Sequence, residues 1–212
     1  HHVTPAPFLS TAVLAPLAIT MADADQEDLL AQIAAGEMRI GAALGDAIAP
    51  RQDAGLTSAG GRLSGKALFA LDCPAEGYLV ADSQRRLFLV AADAQGVACR
   101  SLTTIDRSRR TAELTFDGTP ARLIAEDPSV FDRVVDAGRV MLAADTLGAA
   151  QNMLDQAVEY AKQREQFNRP IASFQAVKHM CAEMAAALEP CRAMIWYAGH
   201  ALDEVPDEAR LI

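Results

Sequence analysis

The feature that most constrains this chain is a heptad pattern of apolar residues near its C-terminus. From Phe174 to Leu202, apolar side chains recur at alternating steps of three and four residues, at positions 174, 177, 181, 184, 188, 191, 195, 198 and 202. This spacing predicts an α-helix with one apolar seam, which must pack against a partner helix. Pro190 falls inside the pattern, so we expect a kink at that point.

A second long helix is predicted directly before this one. Asp127-Pro128 is a favourable N-cap and first-turn pair, and helical periodicity continues from there to about Gln166. Asn168-Arg169-Pro170 then interrupts the helix, and the short connection predicts an antiparallel hairpin. Two helices cannot cover each other on all apolar faces. We therefore expect further helices, from a longer protein or from partner subunits, to complete the bundle.

The preceding part of the chain has a different pattern. Two short helices are predicted at 8–21 and 25–35, the second stopped by Gly36. Short β-type runs then recur about every ten residues, which is typical of an antiparallel sandwich or barrel of about six strands. Gly60-Gly61 and Asp117-Gly118 are predicted turns. The predicted strands are 39–44, 62–71, 77–81, 86–92, 98–105 and 111–116.

Composition excludes several classes of protein. Hydrophobic residues make up 51% and charged residues 22%, which argues against a largely disordered chain. A net charge of −9 argues against a nucleic-acid partner. The apolar run at 11–21 is interrupted by Pro16 and is too short to cross a bilayer. The four cysteines lack CxxC spacing and lie in apolar segments, which favours reduced thiols and a cytoplasmic location.

Two short motifs are better explained by ordinary structural roles. Segment 60–67 satisfies GxxxxGK, but Ala67 replaces the hydroxyl that should bind magnesium. A strand-like run follows it, so we interpret this segment as a glycine-rich hairpin turn. His179 and Cys181 are two residues apart on a predicted helix and therefore point to different faces, so no metal site is predicted there.

The segment that joins the two long helices carries an unusual combination of side chains. Arg164, Phe167 and Gln175 place a guanidinium, an aromatic ring and a carboxamide around one helix-to-helix connection. They have ordinary interpretations as a C-terminal helix cation, a loop anchor and an N-terminal polar residue. The alternative is a binding site for a phosphate-bearing ligand, to which arginine geometry is suited. The residues alone leave both interpretations open.

The region from Arg139 to Arg192 resembles the acyl-CoA dehydrogenase family. The resemblance implies an α+β fold with N-terminal helices in residues 1–37, a central antiparallel β sandwich or barrel in 38–125, and the first helices of an antiparallel bundle, incomplete in this chain, in 126–212. It is carried by Gly148-Ala149-Ala150, Ala157-Val158-Glu159-Tyr160-Ala161, Arg164-x-x-Phe167, Pro170-Ile171-x-x-Phe174-Gln175-x-Val177 and Met184-x-x-x-Leu188-Glu189-x-x-Arg192.

The resemblance also implies a reaction and a set of site residues. Family members carry out α,β-dehydrogenation of an acyl-CoA thioester, with a glutamate as the base and FAD as the hydride acceptor. Arg164 and Gln175 match residues that contact the FAD of a neighbouring subunit around its pyrophosphate, and Phe167 matches a residue that packs nearby. Asp136 and Arg139 match positions that line the CoA-substrate channel.

The sequence departs from the family pattern at several positions. Leu44-Gly45-Asp46 stands in the loop where members carry Thr-Glu-Pro, and Phe69-Ala70-Leu71 replaces the Trp-x-Thr that flanks the flavin. Asn168 replaces the usual glycine after Phe167. One known position of the catalytic base matches Gly138, and the commoner one belongs to a later helix connection outside this sequence. No catalytic residue is therefore assigned in this chain.

These departures resemble the divergent subunit of heterotetrameric bacterial acyl-CoA dehydrogenases that act on steroid side-chain CoA thioesters. They imply an α2β2 assembly in which a homologous partner subunit holds most of the FAD and supplies the base. This chain would then contribute Arg164 and Gln175. Two alternatives remain, namely a non-catalytic scaffold subunit of the same fold and a flavin oxidase or monooxygenase built on it.

Overall fold

The N-terminal region of the protein is helical. The structure, a computed structural model, describes residues 6–22 and 27–209 apart from the side chains of Asp207 and Ala209. A π-helical segment, Phe8–Leu14, continues into α1 (Ala15–Met21), so the helix predicted at 8–21 is present with a wider first half. α2 is described over Glu27–Ala34, and the predicted start of this helix at 25–26 lies outside the described residues.

The middle of the chain forms one eight-stranded sheet. The strands are β1 (Ile40–Ala43), β2 (Gly55–Ala59), β3 (Arg62–Leu71), β4 (Gly77–Ala81), β5 (Leu87–Ala91), β6 (Val97–Ser101), β7 (Thr111–Pro120) and β8 (Arg122–Ala125). Along the sheet they follow the order β6-β7-β3-β1-β4-β5-β8, and β2 pairs with β3. Of the six predicted strands, β3 and β4 have the predicted bounds and the other four have shifted ends, whereas β2, β8 and the short helix α3 (Gly45–Ile48) were not predicted.

Pairing between neighbouring strands is antiparallel with one exception. β1 and β4 run parallel, with Ile40 opposite Gly77 and Ala43 opposite Val80. The prediction of an antiparallel sheet is therefore correct for the other pairs and wrong for this one. A parallel pair requires a long crossover, and the β2-β3 hairpin lies between these two strands in sequence.

The two predicted turns have different outcomes. Gly60 and Gly61, with φ of 57° and 72°, form the two-residue loop between Ala59 and Arg62, as expected for the hairpin interpretation of the GxxxxGK segment. Asp117-Gly118 does not end a strand. It lies inside β7 at a β-bulge, and the left-handed Gly118, φ 57°, permits the extra residue there.

Two long helices and their connection make up the C-terminal region. α4 (Pro128–Gln163) begins after Asp127, whose Oδ1 accepts the Ser129 N–H at 2.9 Å and so caps the helix. This bonding to Ser129 also lowers the pKa of the Asp127 carboxyl. α5 (Gln175–Glu204) continues through Pro190, and a final turn, α6 (Pro206–Ala209), follows.

The predicted extension of the first long helix to residue 166 is wrong. Helical structure ends at Gln163, and the chain forms a small hairpin of β9 (Glu165–Gln166) and β10 (Arg169–Pro170). A 3-10 turn, Ile171–Ser173, then leads into α5. Helical periodicity could not show this because a hairpin of two-residue strands is too short to have a pattern of its own.

The core before residue 139 has two apolar layers, one on each face of β4 and β5. Successive strand residues point to opposite faces, so Leu79 and Leu87 belong to one layer and Tyr78 and Phe88 to the other. The first layer is covered by α1 and the start of α4, through residues that include Phe131. The second is closed by the β2, β3 and β7 part of the same sheet, which gives the sandwich-like arrangement that the strand spacing predicts.

The described chain divides into two compact units, and the boundary falls inside α4, between Gly138 and Arg139. In the second unit the helices pack as an antiparallel hairpin, in which Arg192 of α5 donates a 3.0 Å hydrogen bond to Gln151 of α4. Ala161 of α4 and Ala198 of α5 are buried. Ala198 is the one buried position of the predicted α5 seam, because Met184 and Cys191 are exposed and the other seam residues are half-buried. The three regions proposed from sequence describe element types rather than compactness, and they stay a prediction.

Within the described ranges, no helix combines the length and the low polarity needed to cross a bilayer.

Candidate functional site

The connection between α4 and α5 is a strained hairpin. Gln166 pairs with Arg169, so Phe167 and Asn168 form a two-residue turn, with φ of 56° and 58°. A turn of this kind needs the left-handed conformation at both positions. Asn168 tolerates it well, which explains how asparagine can stand where the family has glycine, but a bulky aromatic residue adopts it only at a cost. The strain at Phe167 marks this turn as a candidate functional segment.

The aromatic ring at the tip of this hairpin is presented outward. Phe167 is 87% exposed and touches the ring of Phe174 edge to face, with centroids 6.1 Å apart. The guanidinium of Arg169 lies 4.1 Å from the centroid of the Phe174 ring. Phe174 therefore supports the hairpin from one side, and most of the surface of Phe167 is left available for another molecule.

Arg164 and Gln175 flank this hairpin at its two ends. The backbone of Arg164 is fixed, because its N–H donates to the Tyr160 carbonyl and its own carbonyl accepts the Ile171 N–H, both at 2.8 Å. Within the described part of the chain, neither the Arg164 guanidinium nor the Gln175 carboxamide has a hydrogen-bond partner. The structure thus brings together the three residues that the sequence predicts, with their polar groups uncommitted.

This hairpin site fits the phosphate part of the predicted cofactor. A guanidinium offers paired N–H donors to phosphate oxygens, and the Gln175 amide adds two more. Gln175 also begins a 30-residue helix, and the positive end of a helix dipole favours an anion near its first turn. Chemically, this donor set suits a pyrophosphate.

The two residues predicted to line a substrate channel lie elsewhere. Asp136 is buried, with 7% of its surface exposed, and Arg139 is exposed. Both belong to α4 and both interact with other groups of the protein. Arg139 is roughly 35 Å along α4 from the hairpin at 1.5 Å per residue. Their assignment to substrate stays a prediction.

The β-domain loop that should grip a flavin is folded on itself. Asp46 accepts a 2.9 Å hydrogen bond from Arg51 through Oδ1 and another of 2.9 Å from the Leu68 N–H through Oδ2. Arg51 then places its guanidinium 5.6 Å from the centroid of the Phe69 ring. Sequence analysis missed this cluster, although an aspartate and an arginine five residues apart in one loop were a usable signal.

Phe69 marks a second strained position. It lies at a β-bulge of β3 with φ of 55°, and its ring is 56% exposed. The aromatic character of the family's tryptophan is therefore kept, but Leu71, at the place of the threonine, has no hydroxyl to offer a flavin ring edge. The β domain fits the flavin ring poorly, in contrast to the fit of the hairpin to a pyrophosphate.

No group of three or more histidine, cysteine or acidic side chains in the described ranges is arranged to hold a metal ion.

Comparison with known sequences agrees with the resemblance. Residues 129–211 match the acyl-CoA dehydrogenase C-terminal domain. Acyl-CoA dehydrogenase IpdE2 of Mycobacterium tuberculosis is 38% identical over 104 residues, which is 49% of this chain and 31% of that protein. Acyl-CoA dehydrogenase FadE34 of the same organism is 32% identical over 189 residues, covering 88% of this chain and 24% of that protein.

Solved structures extend the similarity to nearly the whole chain. A chain of the ChsE4-ChsE5 complex from Mycobacterium tuberculosis superposes with a TM-score of 0.80 at 26% identity, covering 94% of this chain and 57% of that one. A variant of the Tcur3481-Tcur3483 steroid ACAD gives a TM-score of 0.79 at 32% identity, covering 91% and 55%. The chain thus spans a little over half of these structures and a third or less of the two curated relatives. On the matched C-terminal domain and this shared architecture, the chain belongs to the acyl-CoA dehydrogenase family.

Proposed function

We propose that this chain is a subunit of an FAD-dependent acyl-CoA dehydrogenase whose active site is shared with a homologous partner subunit. The reaction is the α,β-dehydrogenation of an acyl-CoA thioester. The observation that carries the proposal is the hairpin site: uncommitted Arg164 and Gln175 side chains beside a strained, outward-facing Phe167.

FAD, when bound, accepts the β-hydrogen of the substrate as a hydride. The part of this chain is to hold the cofactor in place. Arg164 binds the pyrophosphate through charge-assisted hydrogen bonds, and Gln175 donates a further hydrogen bond to it. Phe167 excludes water from these bonds, which strengthens them by lowering the local dielectric constant.

Two features of this chain support a partner subunit, one in the β domain and one in the helical hairpin. The β domain lacks a hydroxyl at Leu71, and the Arg51 guanidinium, held by Asp46, lies over the Phe69 ring, so the flavin ring needs a site on another polypeptide. The helical hairpin also exposes large apolar side chains on its outer surface, among them Met153 at 69% and Trp196 at 77%. Patches of this kind mark interfaces.

ChsE4-ChsE5 is named as a complex of two chains, which favours a hetero-oligomer, and we propose the α2β2 form.

A steroid side-chain CoA thioester is the proposed substrate class. It rests on the Tcur3481-Tcur3483 relative, which is named a steroid ACAD. Activity assays of the assembled complex with steroid and straight-chain acyl-CoA substrates test it. A preference for straight-chain substrates would contradict the substrate class and leave the shared site intact.

Flavin content of the co-purified complex tests the shared site. The chain is co-expressed with its neighbouring homologue, and FAD per complex is measured by absorbance. Arg164→Ala removes the guanidinium, and we expect FAD affinity to fall about tenfold or more, as for the loss of a charge-assisted contact. Lys162→Ala is the matched control, because Lys162 is a nearby cation already paired with Glu159 at 2.6 Å.

Two results would overturn this proposal. One is unchanged flavin content in the Arg164→Ala complex, which would return Arg164 to the role of a helix-terminal cation. The other is full FAD retention by this chain purified alone, since a shared site requires the partner.

A non-catalytic scaffold subunit is the second candidate function. It is favoured by the same Leu71 and by the Asp46-Arg51 cluster, which remove the usual flavin contacts from this chain. A co-purified complex with no flavin absorbance, after reconstitution with FAD, would favour the scaffold over the dehydrogenase.

A further inference from the structure

The loop between β6 and β7 concentrates positive charge in an acidic protein. Residues 102–110 include Arg107, Arg109 and Arg110, whereas the whole chain has a net charge of −9. The three arginines line one open cavity of about 420 Å³ beside the sheet, together with Thr111 and other hydroxyl residues. Among the residues that the structure describes, no aspartate or glutamate lines this cavity.

Two of these arginines are uncommitted. Arg107 and Arg110 make no side-chain hydrogen bond or ion pair with any residue in the described ranges. Arg109 interacts electrostatically with Asp106, which lies outside the cavity lining. An arginine fork that faces a cavity without an internal acceptor is the arrangement used to bind phosphate.

A hydroxyl without a partner lies on a residue of the cavity wall. The Oγ1 atom of Thr111 is buried and, within the described ranges, has no hydrogen-bond partner. Rotation of the Thr111 side chain about χ1 would turn this hydroxyl toward the cavity, where a ligand would satisfy it. A phosphate oxygen accepts a hydrogen bond from a threonine hydroxyl, and the neighbouring Thr103 offers a second one.

Internal hydrogen bonds order the β6-β7 loop in the absence of a ligand. Asp106 accepts hydrogen bonds from both the backbone N–H and the hydroxyl of Ser108, at 2.8 and 2.6 Å, and Thr104 donates to the Asp106 carbonyl at 2.7 Å. The hydrogen bonds from Ser108 also lower the pKa of the Asp106 carboxyl. Preorganisation of this kind reduces the entropy lost on binding.

The cavity wall carries no competing negative charge from cysteine. Cys73 lines the same cavity, but burial raises the pKa of its thiol to about 12, so it stays neutral at physiological pH. A second cavity of about 230 Å³ adjoins the first, sharing Arg107, Arg110 and Pro74. It includes one acid, Asp72, whose carboxylate already accepts the Ser10 N–H at 3.1 Å.

We propose that the cavity formed by Arg107, Arg110 and Thr111 is a binding site for the phosphate groups of a small organic ligand, separate from the hairpin site. A cavity of this size accepts more than one phosphate group, and the adjoining cavity gives room for the organic part. The residues that would bind the phosphate groups, Arg107, Arg110 and Thr111, are not those of the hairpin site, so the two sites are tested by different variants.

Pyrophosphate is the probe that tests this site. Its binding to the purified, assembled protein is measured by isothermal titration calorimetry at low salt, with Arg164→Gln in the background to remove the hairpin site. We expect one site per copy of this chain. Arg107→Gln and Arg110→Gln should each weaken binding about tenfold or more, and Thr111→Val should weaken it less, by about threefold.

Arg100→Gln is the matched control, because Arg100 on the adjacent β6 is an exposed arginine paired with Glu113 at 2.9 Å. We expect the affinity of the Arg100→Gln protein for pyrophosphate to stay within about twofold of that of the background protein. Equal loss in the control and the loop variants would overturn the proposal, because binding would then follow general surface charge. Absence of pyrophosphate binding would overturn it as well. Binding of acidic polypeptide but not of pyrophosphate would assign the arginines to a protein partner, and this also overturns the small-ligand site.

Discussion

The two compact units of this chain treat their apolar residues in opposite ways. In the first unit, large side chains such as Tyr78, Leu114 and Phe131 are at most 2% exposed. In the second, the fully buried residues are few and mostly small, and Met153, Tyr160 and Trp196 are each more than 60% exposed. The first unit has its own core, whereas the second leaves most of its large apolar side chains uncovered. Composition alone could not distinguish them, because both halves are rich in apolar residues.

Thiol reactivity should give the largest contrast between the units. Cys73 in the first unit is buried with a pKa of about 12, whereas Cys191 on α5 is exposed. Because the thiolate is the reactive form, we expect alkylation at pH 8 to be at least about a thousandfold slower at Cys73 than at Cys191. Pulsed alkylation with peptide mass spectrometry measures both rates in one sample.

Unfolding and assembly provide controls for this comparison of the Cys73 and Cys191 alkylation rates. Unfolding in urea should make Cys73 react as fast as Cys191, and assembly with a partner should slow Cys191 if α5 lies in the interface. Similar rates in the native protein would show that the first unit does not exclude solvent as described.

Truncation of apolar side chains should separate the units next. Leu114→Ala removes a fully buried side chain from β7 and should cost about 3 kcal/mol in the free energy of unfolding. Met153→Ala removes a side chain that is 69% exposed and should cost less than about 0.5 kcal/mol in the unassembled chain. Urea denaturation followed by circular dichroism measures both changes. Equal losses would mean that the second unit is as well packed as the first.

Glycine substitutions should have opposite signs in the two units. Gly65 of β3 has φ of +124°, and an added Cβ would lie 2.2 Å from the Gly55 carbonyl oxygen. Gly65→Ala should therefore destabilise the protein by about 2 kcal/mol or more. Gly148 of α4 has open space around the Cβ position, so Gly148→Ala should stabilise the unassembled chain by about 0.5–1 kcal/mol through helix propensity. Thermal unfolding of the two variants tests the signs, and a destabilised Gly148→Ala chain would contradict the open helix surface.

The smallest expected effect is a pH dependence confined to the first unit. Hydrogen bonding to Arg39 lowers the pKa of Glu76 from 4.5 to about 2. A carboxyl whose pKa is lower in the folded state stabilises the fold above pH 4.5, and this stabilisation is lost as the pH falls toward 2. Because the pair is exposed to solvent, the effect should be small. Acid unfolding of Glu76→Gln should show a weaker pH dependence in this window, and an unchanged profile would show that the pair contributes nothing.

Much of the architecture was predictable because it depends on patterns among residues close together in sequence. The heptad spacing of α5, the Asp127-Pro128 start of α4 and the Gly60-Gly61 turn each depend on residues close together in sequence. Two of the errors share one cause. The parallel pairing of β1 with β4 and the bulge at Gly118 depend on which distant segment lies alongside, and strand periodicity contains no information about that.

The residues of the candidate site could be predicted from sequence, but their exposure and their lack of hydrogen-bond partners could not. Arg164, Phe167 and Gln175 could be identified from the resemblance, but sequence left both a structural role and a binding role open. The exposure of Phe167 and the uncommitted polar groups favour the binding role. The arginine cavity was missed altogether, because its wall joins Cys73, in the connection between β3 and β4, to the distant segment 101–111, and the two meet only in the folded protein.

By itself, the sequence determined the long helices, six of the strands and the resemblance to a family, since propensity, capping and motif identity are properties of neighbouring residues. Only the tertiary structure decided which apolar faces are covered, which polar groups find partners and which are left for a ligand. Those outcomes depend on contacts between residues far apart in the chain, and a linear pattern does not specify them.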